Sequence, residues 1–244
     1  MRIKSSNPAM RAFEKEMPVA SAEAMTVQGT VNKTALLFLL IILTATITWK
    51  LTMVGNALAM TLMWVGLIGG LAMALFTIFA KKHVHITAPI YALFEGLFLG
   101  AISAIFNSML PGVVIQAVFL TLAVFFIMLM LYKFKILKAS SGFIKGVVMA
   151  TGGIMLFYLG SIVARMFGVD ISVFSMGPLG IVIQVVIVII AALNLVLDFN
   201  FIEQGSAQGL PKKMEWYGAF GLAVTLIWLY LEILRLLIII AGRR

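Results

Sequence analysis

Seven stretches of this chain are each apolar for about twenty residues or more, and that pattern leaves few folds open. The hydrocarbon core of a bilayer is ~30 Å thick and takes ~20 helical residues to cross. The runs that meet this length are Thr34 to Val54, Ala57 to Ala80, Thr87 to Met109, Pro111 to Tyr132, Ile144 to Phe167, Pro178 to Ile202 and Trp216 to Ile240. They are continuous and lack the alternation of a barrel strand, so helices are the expected spanning element. Composition agrees, because only 11% of the 244 residues are charged and 63% are hydrophobic, whereas a soluble domain needs about one quarter charged to face water. The expectation is an all-α integral membrane protein: a seven-helix transmembrane domain over 31–244, preceded by a mobile tail over 1–30.

The connections carry the punctuation that such spans require. Lys81-Lys82-His83 follows the second run, Pro111-Gly112 opens the fourth, Ser140-Ser141-Gly142 precedes the fifth and Gly209-Leu210-Pro211 precedes the seventh. Lys and Arg fall mostly on one side. With the N-terminus inside, the inner side holds Arg2, Lys4, Arg11, Lys15, Lys33, Lys81, Lys82, Lys133, Lys135, Lys138, Lys145, Lys212 and Lys213, and the outer side only Lys50, Arg165, Arg243 and Arg244. This bias predicts a multi-pass protein with its N-terminus inside and its C-terminus outside, which in a bacterium means the inner membrane with the tail in the cytoplasm. The formal charge of +9 is therefore read as a topology signal, and no nucleic-acid partner is expected. There is no cysteine, which excludes disulfides, thiol catalysis and thiolate metal sites. No spacing suggests a nucleophile with its base or a cofactor motif, so neither an enzyme nor a resident cofactor is expected.

Small residues recur at helical spacing in two spans: Gly66, Gly69 and Gly70 in the second, Gly96, Gly100 and Ala104 in the third. Such positions let backbones approach closely and are read as helix packing.

Three carboxylates lie well inside predicted spans, Glu95, Asp198 and Glu232. A charge at mid-membrane depth costs ~3 kcal/mol by insertion scales, so each needs an internal partner. In the sixth run Gln184, Asn194 and Asp198 form one polar stripe, and in the seventh Thr225, Trp228, Glu232 and Arg235 share a face. Consecutive antiparallel helices would turn these stripes toward each other. If both helices run straight, Asp198 and Glu232 differ in height by ~10–15 Å. Contact therefore requires a long connection from Glu203 to Trp216. Two readings stay open. Either the two acids meet and share a proton or transiently bind a calcium ion, acting as a pH sensor and gate, or Glu232 pairs with Arg235 three residues on while Asp198 is satisfied elsewhere. Glu95, one turn after Tyr91, is either a packing acid or a pore-lining group, as Asn194 is. His83 and His85 are read as interfacial.

The run Tyr91 to Gly100 (YALFEGLFLG), the run Leu195 to Phe199 (LVLDF) and the run Leu229 to Leu237 (LYLEILRLL), in that order within a seven-span chain, resemble the transmembrane Bax inhibitor motif, or Bax inhibitor-1, family. Ser5-Ser6-Asn7-Pro8 resembles its bacterial branch. The resemblance implies two three-helix layers around a central seventh helix, and a pH-regulated calcium-permeable leak channel gated by acids on helices six and seven. By position those acids are Asp198 and Glu232, the second being commonly aspartate in the family. It also implies a basic latch near the inner end of helix two, where Lys81 and Lys82 stand, with Arg235 a further charge partner. Protons, calcium ions and membrane lipids are then the expected partners. The alternative is a membrane-embedded regulator or adaptor whose tail binds a membrane protease or a stress-response partner.

Overall fold

A computed structural model of the chain describes residues 24–169 and 177–242. Within them seven helices are long and apolar enough to span a membrane: α1 (Val27–Met53), α2 (Leu58–Phe79), α3 (Val84–Met109), α4 (Val113–Lys133), α5 (Ser141–Met166), α6 (Gly177–Ala207) and α7 (Met214–Ala241). A short 3-10 turn, Lys81–His83, joins α2 to α3. Among the described residues there is no strand, only an isolated antiparallel bridge between Ala24 and Pro211. Helices meet the demand of the bilayer because they satisfy each backbone N–H and C=O internally. This is a multi-pass membrane protein.

Helix ends follow local chemistry. Thr26 caps α1, its Oγ1 accepting from the Gly29 N–H at 2.9 Å, so the helix starts seven residues before the apolar run that marks it. Between α3 and α4 the chain turns at Gly112, whose φ of 83° suits a residue without a Cβ. Its N–H donates to Asn107 Oδ1 at 3.1 Å.

The expected glycine packing is borne out. A Cβ at Gly96 or Gly100 of α3 would overlap the α1 backbone at Ile41 and Ala45. One at Gly66 of α2 would stand 2.6 Å from Phe94 O of α3. Inside a bilayer there is no hydrophobic drive between helices, so this close approach supplies the dispersion contact that holds α1, α2 and α3 together.

Two apolar cores lie on adjacent faces of α7. One joins Leu37 and Ile41 of α1 and Ala88, Tyr91 and Leu99 of α3 to Ala219, Phe220, Ala223 and Ile227 of α7. The other joins Ala117 and Met128 of α4 and Ala191, Leu195 and Phe199 of α6 to Leu222, Leu226, Leu229 and Ile233 of α7. The seventh helix is thus central, between an α1–α3 group and an α4–α6 group, as the two-layer expectation requires. The fifth helix is peripheral, with only Val147 and Ile154 buried.

Residues 1–23 of the expected tail, and with them Ser5-Ser6-Asn7-Pro8 and any partner-binding role, lie outside the described residues, as do Arg243 and Arg244. From Ala24 onward the chain is held against the α6–α7 connection. The Met25 N–H donates to Leu210 O at 2.6 Å, and Met25 is buried against Gly205 and Gly218.

Candidate functional site

The sixth helix continues to Ala207 and the seventh begins at Met214, so the connection is short. The longer Glu203-to-Trp216 link that contact between Asp198 and Glu232 requires does not form, and the two helices pass antiparallel and in full. Each acid consequently meets a different part of the opposite helix. Asp198 faces Gly221, with Oδ1 3.5 Å from where a Cβ at that glycine would stand. Gly221 precedes Glu232 by eleven residues, which at ~1.5 Å per residue is ~16 Å along α7. The acids do not share a proton or ligate one ion in this arrangement, since calcium holds its oxygens at about 2.3–2.6 Å. Among the described residues no cluster of three or more His, Asp or Glu groups could hold a metal.

Glu232, only 2% exposed, sits in a network drawn from three helices. Its carboxylate accepts from Gln184 Nε2 of α6 at 2.7 Å, from Trp228 Nε1 one turn earlier at 2.9 Å and from the Tyr158 hydroxyl of α5 at 2.9 and 3.0 Å. The Arg235 guanidinium closes the network at 3.0 Å. It also donates to the Tyr158 oxygen and stacks over the Tyr158 ring, 4.9 Å from its centre. Gln184 bonds the Glu232 backbone carbonyl as well, at 2.9 Å. This is the ion-pair reading of Glu232, enlarged by donors. An anion this deep is tolerated because every oxygen faces donors and a cation stands beside it. Chemically the cluster clamps α5 onto α7.

Asp198 is satisfied only in part. Its Oδ2 is buried with no hydrogen-bond partner, and the Thr225 hydroxyl lies beside the carboxyl. Gly221 leaves the room that the carboxyl fills.

The other expected site residues are dispersed. Asn194 donates to Thr151 Oγ1 of α5 at 2.9 Å and to Ile190 O at 2.8 Å, so it ties α6 to α5. Glu95 lies between α3 and α2, its Oε2 2.9 Å from where a Cβ at Gly70 would stand, with the Tyr91 hydroxyl alongside. Tyr91 in turn meets Phe220 of α7 edge-on at 5.1 Å. Lys81 reaches α7, its Nζ 5.1 Å from the centre of the Tyr217 ring, one turn before Gly221 and thus near the level of Asp198. Lys82, His83 and His85 are exposed.

Two partners were not legible beforehand. Tyr158 is the one group of α5 in the Glu232 network, and its only signal was a tyrosine near the middle of a largely apolar span. Glu215, 1% exposed, accepts from the Thr26 N–H and hydroxyl, both at 2.9 Å, and pairs with Lys33. This second buried ion pair ties the start of α1 to the start of α7.

A helical bundle whose central helix carries a caged anion at one level and faces, at another, a carboxyl of α6 with a donorless oxygen defines a polytopic membrane protein with ionisable groups inside its spans. The chain belongs to the Bax inhibitor 1 like family, whose model matches residues 7–242. No curated protein and no solved structure matches it.

Proposed function

We propose that the protein is a passive leak for cations, calcium among them, regulated by protons. The observation that supports this most is Asp198, a half-buried residue between α6 and α7 whose buried Oδ2 has no donor. A buried polar atom without a partner is costly, and a proton or a hard cation supplies what it lacks. The charge bias makes the lysine-rich end, where α1 begins and α2, α4 and α6 finish, the inner side.

In this reading the two acids act at separate stations with opposite signs. Glu232 holds the closed arrangement, because its charge binds Arg235, Gln184, Trp228 and Tyr158 and so keeps α5 on α7. Removing that charge loosens α5 and shifts the population toward a conducting state. Asp198 supplies negative charge to the path, and protonation there lowers cation attraction. Lys81, near the level of Asp198, is the basic group placed to oppose it.

Calcium flux into liposomes across about pH 6 to 8 tests this. Glu232→Gln should raise flux, whereas Asp198→Asn should lower flux throughout and flatten its fall on acidification. Unchanged flux and pH response in the double variant would sink the proposal.

A further inference from the structure

A cleft of about 720 Å³ opens between α1 and α4, on the opposite side of α7 from the Glu232 network's α5 clamp. Its lining is almost wholly apolar, with Phe38 and Ala45 of α1, Leu122 and Phe125 of α4, and a floor that includes Leu226 and Tyr230 of α7. The floor is buried, Leu226 at 8% exposed, while the lips are open, Ile42 at 60% and Leu122 at 45%. A cleft with a buried floor and exposed apolar lips, set in a bundle whose outer surface is hydrocarbon-facing, opens sideways into the bilayer. Along α1 it extends from Val31 to Trp49, eighteen residues or ~27 Å, close to the ~30 Å of a bilayer core. Its volume lies within the ~300–1,000 Å³ of small-molecule sites.

Charge distinguishes one mouth of the cleft. Lys133 follows Leu122 by eleven residues on α4, three turns, so it lies in line with the exposed lip at the lysine-rich end. Lys135 follows in the turn, held at a φ of 57°. The acids at this end are few. Glu215 is taken by Lys33, and Glu203 accepts from Tyr132. Among the described residues neither Lys133 nor Lys135 is in a salt bridge.

We propose that this cleft is a lipid site, in which an anionic phospholipid from the lysine-rich leaflet lays one acyl chain against α7 and sets its headgroup on Lys133 and Lys135. Apolar lining selects hydrocarbon over water, and the lysines select the headgroup, each basic group near a membrane surface favouring an anionic lipid about fivefold. The chain then rests on the same helix that carries Glu232. The site is independent of the cation-leak reading.

Native mass spectrometry of the full-length protein, released from vesicles of equal phosphatidylglycerol and phosphatidylcholine with matched chains, reads the retained lipid directly. The wild type should keep one phosphatidylglycerol after delipidation. Ala35→Phe and Leu122→Trp, which fill the cleft, should lose it, while Leu71→Phe on the exposed face of α2 adds bulk elsewhere and should not. Lys133→Gln and Lys135→Gln should each cut the preference for phosphatidylglycerol about fivefold. Helical circular dichroism verifies that each variant folds. Equal retention by the filled variants, loss in Leu71→Phe, or an unchanged headgroup preference in both lysine variants would overturn the proposal.

Discussion

Glu232→Gln isolates the charge at the centre of the three-helix network. The amide keeps the shape and one acceptor oxygen, so Trp228 or Tyr158 retains a partner. The other oxygen becomes an NH2 that faces the donors Gln184 Nε2 and Arg235 Nη1, which stand at 2.7 and 3.0 Å from the carboxylate. Breaking a buried pair by neutralising one partner costs ~3–5 kcal/mol. Arg235 is 30% exposed on its side chain and can recover some solvation toward the headgroups, which places the loss at the lower end. Hydrogen bonds between membrane helices average only ~0.6 kcal/mol, because the dissociated helices find other partners. A total of ~2–4 kcal/mol follows. Tyr158→Phe removes the hydroxyl that bridges Arg235 and Glu232 and should cost ~1–2 kcal/mol. The two changes share partners, so in combination they should be less than additive by ~0.5 kcal/mol or more. Reversible unfolding in mixed detergent micelles measures each corner of this cycle. Alkylation of a cysteine placed at Ile154, buried on the α5 side of its seam with α6, should also speed up, since the chain has no cysteine of its own and α5 buries little else. A Glu232→Gln loss below ~0.5 kcal/mol, with strict additivity, would refute the view that this network clamps α5.

Gly100→Val should cost ~2–3 kcal/mol by overpacking, because its Cβ overlaps the backbone of α1 at Ala45. Gly153→Ala, with no atom within 4 Å of the added carbon, should leave the unfolding midpoint unchanged, so the pair tests whether close approach or mere glycine content matters. Glu215→Gln should cost ~2–3 kcal/mol by breaking the buried pair with Lys33, and it should free the segment around Met25. Limited proteolysis would then remove the N-terminus faster than in the wild type.

The fold was legible because the bilayer imposes a single length and a single hydrogen-bonding solution on each span. The seven apolar runs locate all seven helices, and the four-residue spacing of Gly96 and Gly100 marks the face that meets α1. Helix ends were less legible. Thr26 extends α1 below its apolar run, and α6 runs on through Glu203 to Ala207, because capping and internal hydrogen bonds, not hydropathy, decide where a helix stops. That extension governs the candidate site. The polar stripes of the sixth and seventh helices were visible, but periodicity fixes which side of a helix a residue faces and leaves its height against a neighbour open. With a short connection and two straight helices, the ~10–15 Å mismatch foreseen between Asp198 and Glu232 persists. Tyr158 was illegible for a different reason. Its role depends on which peripheral helix lies outside Glu232, and nothing in the chain before the fold assigns that place to α5.

The separation of the two acids has a physical rationale that a shared pair would lack. Two carboxylates in contact in a low dielectric compete for one proton, and each limits the charge the other can hold. Held at levels ~16 Å apart, one on α6 and one on α7, they are free to have different surroundings. Glu232 is surrounded by Arg235 and by the donors Gln184, Trp228 and Tyr158, an environment built for an anion. Asp198 has a glycine opposite and an oxygen with no donor, an environment that an anion alone does not satisfy. Asp198 is carried by α6 and Glu232 by α7, so a change that frees α5 at one station is felt at the other only if α7 moves against α6 as a body. The cores on its two faces, one with α1 and α3 and one with α4 and α6, are what such a movement must shear. The apolar cleft between α1 and α4 is the place along α7 where that packing is already open.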